Sequence, residues 1–154
     1  MLKLRKNKKG FTLVELIVVI AIMAVLAGTV AGVTVSQLNK QTDNTNKSQA
    51  KTIADFISTK IMEESYDLEA ADANFFDTTG ANGIGKDLKA QYSDTITLGS
   101  KGEKGKKVGV TFDANGKCFY VTYQGKQGDN KGNVQYKVSA EAVVSKVSEG
   151  QAIS

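Results

Sequence analysis

Residues 11–38, FTLVELIVVIAIMAVLAGTVAGVTVSQL, form an apolar run with a single charge, Glu15, and Lys40 is the next charge beyond it. As a helix the run would extend about 42 Å at 1.5 Å per residue. A bilayer core needs roughly 20 apolar residues, so the run is long enough to span one. Its Ile, Val, Leu and Ala leave no polar face, so its surroundings must be lipid or other apolar helices. The ten residues before it, MLKLRKNKKG, carry Lys3, Arg5, Lys6, Lys8 and Lys9. Such a basic flank marks the cytoplasmic side of a span. A cleaved secretory signal has an apolar core of only about 7–15 residues and a small-x-small cleavage site. This run is too long for that, and Thr29-Val30-Ala31 is a poor match to such a site. A permanent anchor and an assembly segment remain.

Glu15 separates these two. A charge at the centre of a spanning helix costs about 2.5–3.5 kcal/mol on insertion scales, and less near an end. Glu15 lies five residues into the run, where a carboxylate can snorkel to the interface or meet a positive partner in an apolar surround. The stretch KKGFTLVELIVVIAIMAVLAG, residues 8–28, resembles the class III signal of type IV prepilins and the related pseudopilins. That resemblance implies cleavage between Gly10 and Phe11 by a membrane-embedded prepilin peptidase, and methylation of the new amine on Phe11. It gives Glu15 a role in registering subunits during assembly. It also implies partners: other copies of the chain, the peptidase, and an assembly platform with its ATPases. The precursor would sit in the cytoplasmic membrane and the assembled filament on the cell surface, with adhesion, twitching motility, aggregation or DNA uptake as roles. One departure concerns Gly32, where the family commonly has proline. Gly28 and Gly32 stand here instead. Each glycine costs a helix interior about 1 kcal/mol relative to alanine, so the pair is a weak point. It also has the small-x-x-x-small form that lets membrane helices pack closely.

After Leu38 the stretch NKQTDNTNKSQ is polar but has no Gly or Pro to stop a helix. Ala50, Ile53, Ala54, Phe56, Ile57 and Ile61 then recur at helical spacing, with Lys60 and Glu64 on another face and Tyr66 and Leu68 closing the pattern. One helix from Phe11 to about residue 65 is expected. Residues 66–95 read as a surface connection anchored by Phe75, Phe76, Ile84, Leu88 and Tyr92, with a short helix near 86–92. Strands are expected at 95–98, at Val108–Phe112, at Cys118–Tyr123 with Phe119, Val121 and Tyr123 facing the core, and from Val134 to about Val144. Asp113–Lys117 reads as a hairpin turn with Asn115-Gly116 able to take positive φ. The fold class is α+β: a long N-terminal helix packed on a small antiparallel meander. The domains are a leader at 1–10, an apolar helix at 11–38 and a globular head at 39–154. Within the head the helix ends near 65, the sheet spans about 96–144, and a polar tail follows.

Residues 39–154 hold fifteen basic and fifteen acidic side chains. That balance disfavours a nucleic-acid binder. The chain has no His, Trp or Pro, so it lacks the commonest general base and metal ligand. No enzyme, cofactor or metal is expected. Cys118 is the only cysteine and excludes an intrachain disulfide. Gram-negative pilins commonly carry one, so its absence points to a Gram-positive source. Gly80–Asp87 is a poor phosphate loop, with Asp87 where Ser or Thr would touch a metal, and its glycines read as turns. Lys101–Lys107 is the one basic cluster of the head and reads as a solvated connection. The functional reading is a type IV pilus subunit. A pseudopilin or minor pilin of a secretion or DNA-uptake machine, or a membrane-anchored binding module, are its alternatives.

Overall fold

The computed structural model describes residues 10–63, 68, 75–126, 128 and 130–153. The basic leader up to Lys9 and most of the connection at 64–74, with Glu64 and Tyr66, lie outside the described residues. The chain divides into two compact units, Met1–Gln37 and Leu38–Ser154. Helix α1, Leu13–Glu63, contributes to both. No proline occurs in the chain, and no glycine between Gly32 and Gly80, so nothing breaks the ladder of α1.

In the first unit the large apolar side chains of α1 are exposed throughout, from Leu13 to Val35. By length and composition the helix is long and apolar enough to cross a membrane. Gly28 and Gly32 lie inside continuous helix, and a Cβ on either would meet nothing within 4 Å.

In the second unit α1 turns one face inward. Ala50, Ile53, Ala54 and Ile57 are fully buried and Ile61 nearly so, while Phe56 is half-buried at the edge of the core. Along the polar stretch before them, Thr42, Thr45, Ser48 and Thr52 donate their hydroxyls to carbonyls one turn back, which satisfies those hydroxyls locally without interrupting the helix. Helix α2, Gly83–Tyr92, adds Ile84 and Leu88 to the core. It starts earlier than the 86–92 expected. Phe75 meets Phe112 edge to face, and both rings pack tilted against Phe119, with ring centroids 4.9–5.8 Å apart.

Five strands follow: β1 Ile96–Leu98, β2 Val108–Asp113, β3 Cys118–Tyr123, β4 Val134–Val138 and β5 Val144–Glu149, in sheet order β1-β2-β3-β4-β5. The architecture is α+β, a long helix on a mostly antiparallel sheet. Phe119, Val121 and Tyr123 are fully buried in the core cluster, as expected from their bulk; Cys118 and Thr122 are buried as well.

Three details depart from the reading of the sequence. First, β1 pairs parallel to β2, with Ile96 opposite Val108 and Leu98 opposite Val110. The connection at 99–107 therefore has to cross a face of the sheet, and it does so over Gly109. A Cβ there would lie 2.2 Å from the Ser100 carbonyl oxygen. Second, the expected long last strand ends at Val138. The chain turns through Ala142, whose φ is 59°, and the expected polar tail becomes β5. Third, the Asp113–Lys117 turn takes its positive φ at Lys117, 49°, not at Asn115-Gly116. The Asp113 carboxylate accepts the Asn115 amide at 3.0 Å, which bends the first half of the turn without a left-handed residue.

Candidate functional site

The candidate processing and assembly residues all fall in the first unit. Gly10 is exposed and non-helical, Phe11 is 91% exposed, and α1 begins two residues later at Leu13. The Gly10–Phe11 bond thus lies just outside the helix, in backbone that can enter a cleft without unwinding a turn.

Thr12 and Glu15 form a reciprocal cap on the first turn. The Thr12 amide donates to Glu15 Oε2 at 2.8 Å, the Thr12 hydroxyl donates to the same oxygen at 2.9 Å, and the Glu15 amide donates back to Thr12 Oγ1 at 3.3 Å. This is a capping box, which satisfies two amides that the start of a helix leaves unpaired. A carboxylate in the first turn also faces the positive end of the helix dipole. Both carboxylate bonds fall on Oε2, and Oε1 takes neither. The reading of the sequence missed Thr12. The signal was present in Thr12-Leu-Val-Glu15, a Thr-x-x-Glu pattern directly before an apolar run.

The other polar side chains in this stretch are also satisfied within the helix. Thr29 donates to the Leu26 carbonyl at 3.0 Å and Thr34 to the Val30 carbonyl at 2.8 Å. Thr12, Glu15, Thr29 and Thr34 are the only polar side chains between Phe11 and Val35, and each has a partner inside its own helix. Apart from the Glu15 carboxylate, the segment presents hydrocarbon to its surroundings, as an apolar environment requires. Gly28 and Gly32 place two notches on it four residues apart.

A second cluster, in the second unit, was not visible in the sequence. Asp43 is 1% exposed. Its Oδ1 accepts the Tyr123 hydroxyl at 2.8 Å and the Lys126 amide at 2.8 Å, and Asn46 Nδ2 donates to the Tyr123 oxygen at 3.1 Å. The Tyr123 phenol is pushed up to about 12: burial raises it most, the Asn46 bond lowers it, and the Asp43 carboxylate raises it again. Nearby, Asn133 accepts the Gly125 amide at 2.8 Å and donates to the Gln151 carbonyl at 2.9 Å. Lys47 reaches the Lys131 carbonyl at 3.1 Å and Glu149 at 3.2 Å. These bonds pin the 124–133 loop and the chain end to α1. Together they form a structural clasp.

The prokaryotic N-terminal methylation motif matches residues 5–31. The match takes in Gly10, Phe11 and Glu15 and ends within the apolar run, and it fits a pilin-like prepilin signal. No curated protein and no solved structure matches the chain.

Proposed function

We propose that this chain, whose methylation motif, long apolar helix and sheet together fit a type IV pilin, is the structural subunit of a type IV pilus. The leader is cut between Gly10 and Phe11, the new amine on Phe11 is methylated, and the mature subunit polymerises through α1. The apolar helix and the motif fit membrane anchoring followed by assembly at the surface. The subunit needs no catalytic centre, cofactor or metal for this role. Its partners are other copies of itself, the peptidase and the assembly platform.

The observation that carries the reading is Glu15. It is the one charge among exposed apolar side chains, and its Oε2 is held by Thr12 while Oε1 takes neither of those bonds. After cleavage the Phe11 amine is the only cation near the start of the helix. A free α-amine has a pKa near 7.7–8.0, so it is mostly protonated at neutral pH. An incoming subunit can offer that amine to the Glu15 of a neighbour. Away from water the attraction is strong, but desolvation offsets much of it. The pair therefore sets the register more than it adds net stability. Subunits joined head to tail without closure then give an open helical filament. Gly28 and Gly32 supply the weak point and close-packing notch within that filament's core.

The test is Glu15→Ala, with mature protein in the membrane and filaments in the sheared fraction both quantified. Insertion and cleavage should persist, and filament yield should fall sharply. A wild-type yield removes Glu15 from assembly, and accumulation of uncut precursor moves the defect upstream. In the unaltered protein, scarcity in sheared filaments that are otherwise abundant would assign the chain as a minor pilin or pseudopilin instead.

A further inference from the structure

The second unit is neutral as a whole, but its charge is unevenly spread. The β1–β2 connection, residues 99–107, carries Lys101, Lys104, Lys106 and Lys107 against one acid, Glu103. The β3–β4 connection, residues 124–133, lies directly against it. The Gly105 amide donates to the Gln124 carbonyl at 2.7 Å, and Gln124 Nε2 donates to the Lys101 carbonyl at 3.3 Å. A Cβ on Gly105 would lie 3.0 Å from Cβ of Lys126. Lys126 thereby joins the first four lysines, while Asp129 and Lys131 of the same loop cancel in charge. Lys101, Lys104, Lys106 and Lys126 are exposed. Lys106 approaches Glu103 at 3.7 Å with both side chains solvated, an arrangement that water screens and that leaves the field of the patch positive.

Lys101 also walls a cleft of about 290 Å³ on the sheet face away from residues 50–61 of α1. Thr111, Tyr120, Gln135 and Val147 complete its lining. Gln135 Nε2 is committed to Thr122 Oγ1 at 3.1 Å, which fixes the amide and leaves its carbonyl oxygen to accept. The lining thus supplies an aromatic ring, an apolar valine, a hydroxyl, a fixed amide and an ammonium, with no carboxylate. A sugar ring presents hydroxyl edges and an apolar face, and this set answers both. The ammonium favours a sugar that carries a negative charge.

We propose that this cleft and its lysine rim bind an acidic polysaccharide, with one carboxylated sugar in the cleft and adjoining units along Lys104 and Lys126. Nucleic acid fits the surface less well. A single strand needs successive rings on which to stack its bases, and the cleft offers one. The rim contains no arginine, the side chain whose rigid fork matches phosphate in two places. The site lies wholly within the second unit.

Full-length protein in detergent micelles is titrated calorimetrically with oligogalacturonate, with a neutral maltooligosaccharide and with a short DNA duplex, each at low and high salt. Oligogalacturonate should bind saturably and more weakly in salt, and the neutral sugar should bind at least about tenfold more weakly. Replacing the exposed lysines together, Lys101→Gln, Lys104→Gln and Lys126→Gln, should weaken oligogalacturonate about tenfold or more with an unchanged thermal melt. Tyr120→Ala should weaken it while the salt dependence stays. The proposal fails if oligogalacturonate does not saturate, if the lysine variant binds it as the wild type does, or if the duplex binds as tightly as the glycan.

Discussion

Tyr123 joins a buried phenol to a buried carboxylate, and its titration should be visible in the stability of the whole protein. Its pKa stands at about 12 against an ordinary 10.0, with burial as the main cause. Above pH 10 the unfolded chain gives up this proton while the folded chain keeps it. The unfolded state then binds fewer protons, so stability falls as pH rises. Below pH 10 both states hold the proton and the contribution is fully present. Thermal melts should therefore lose stability between about pH 10 and about pH 12, and Tyr123→Phe should flatten that alkaline limb. An identical alkaline slope in Tyr123→Phe would place the titrating group elsewhere. Asp43, the partner of Tyr123, shows why part of the clasp was hidden in the sequence. Its neighbours Asn39 to Gln49 read only as a polar stretch of helix. The groups that bury it, Tyr123 and Lys126, lie some 80 positions away in the chain.

Among the elements, the second half of α1 carries the head. Ile53 and Ile57 are fully buried and Ile61 nearly so, and each such side chain contributes about 1.5–3 kcal/mol on burial. A fragment beginning at Asn39 should be soluble and monomeric, with a cooperative melt. A shorter fragment beginning after Ile61 should show none, and a cooperative transition in it would mean that the sheet has another cover. This half of the helix was legible because its apolar positions repeat at helical spacing. The strands were legible where side chains alternate, as in Val108–Phe112 and Cys118–Tyr123. The last strand was not. Val144 and Val147 are three apart, which breaks a period of two, and a register shift between Gln135 and Tyr136 absorbs the extra residue. The parallel direction of β1 was likewise invisible. Three residues carry no sense of direction, and only the crossing over Gly109 reveals it.

For the whole molecule, the proposed life cycle begins at Gly10. It is exposed, non-helical and free of neighbours within 4 Å of a would-be Cβ, so a side chain there would leave the fold of the chain intact. A peptidase that grips extended backbone closely has no such space. Gly10→Val should leave full-length precursor in the membrane with the head still folded. Intact-mass measurement of the membrane fraction reads the result, and normal mature N-termini would defeat the claim. The internal hydrogen bonds of the apolar helix have a consequence for what happens next. Since Thr12, Glu15, Thr29 and Thr34 bond within their own helix, the segment carries its polar requirements with it wherever it goes. Lipid tails and leucine side chains are equally apolar, so replacing one by the other leaves little hydrophobic gain in either direction. In the proposed filament, the passage of the helix from bilayer to fibre core is then nearly level in free energy apart from packing and the Glu15 pairing. A level path favours neither end, and the direction of travel falls to whatever does mechanical work on the subunit.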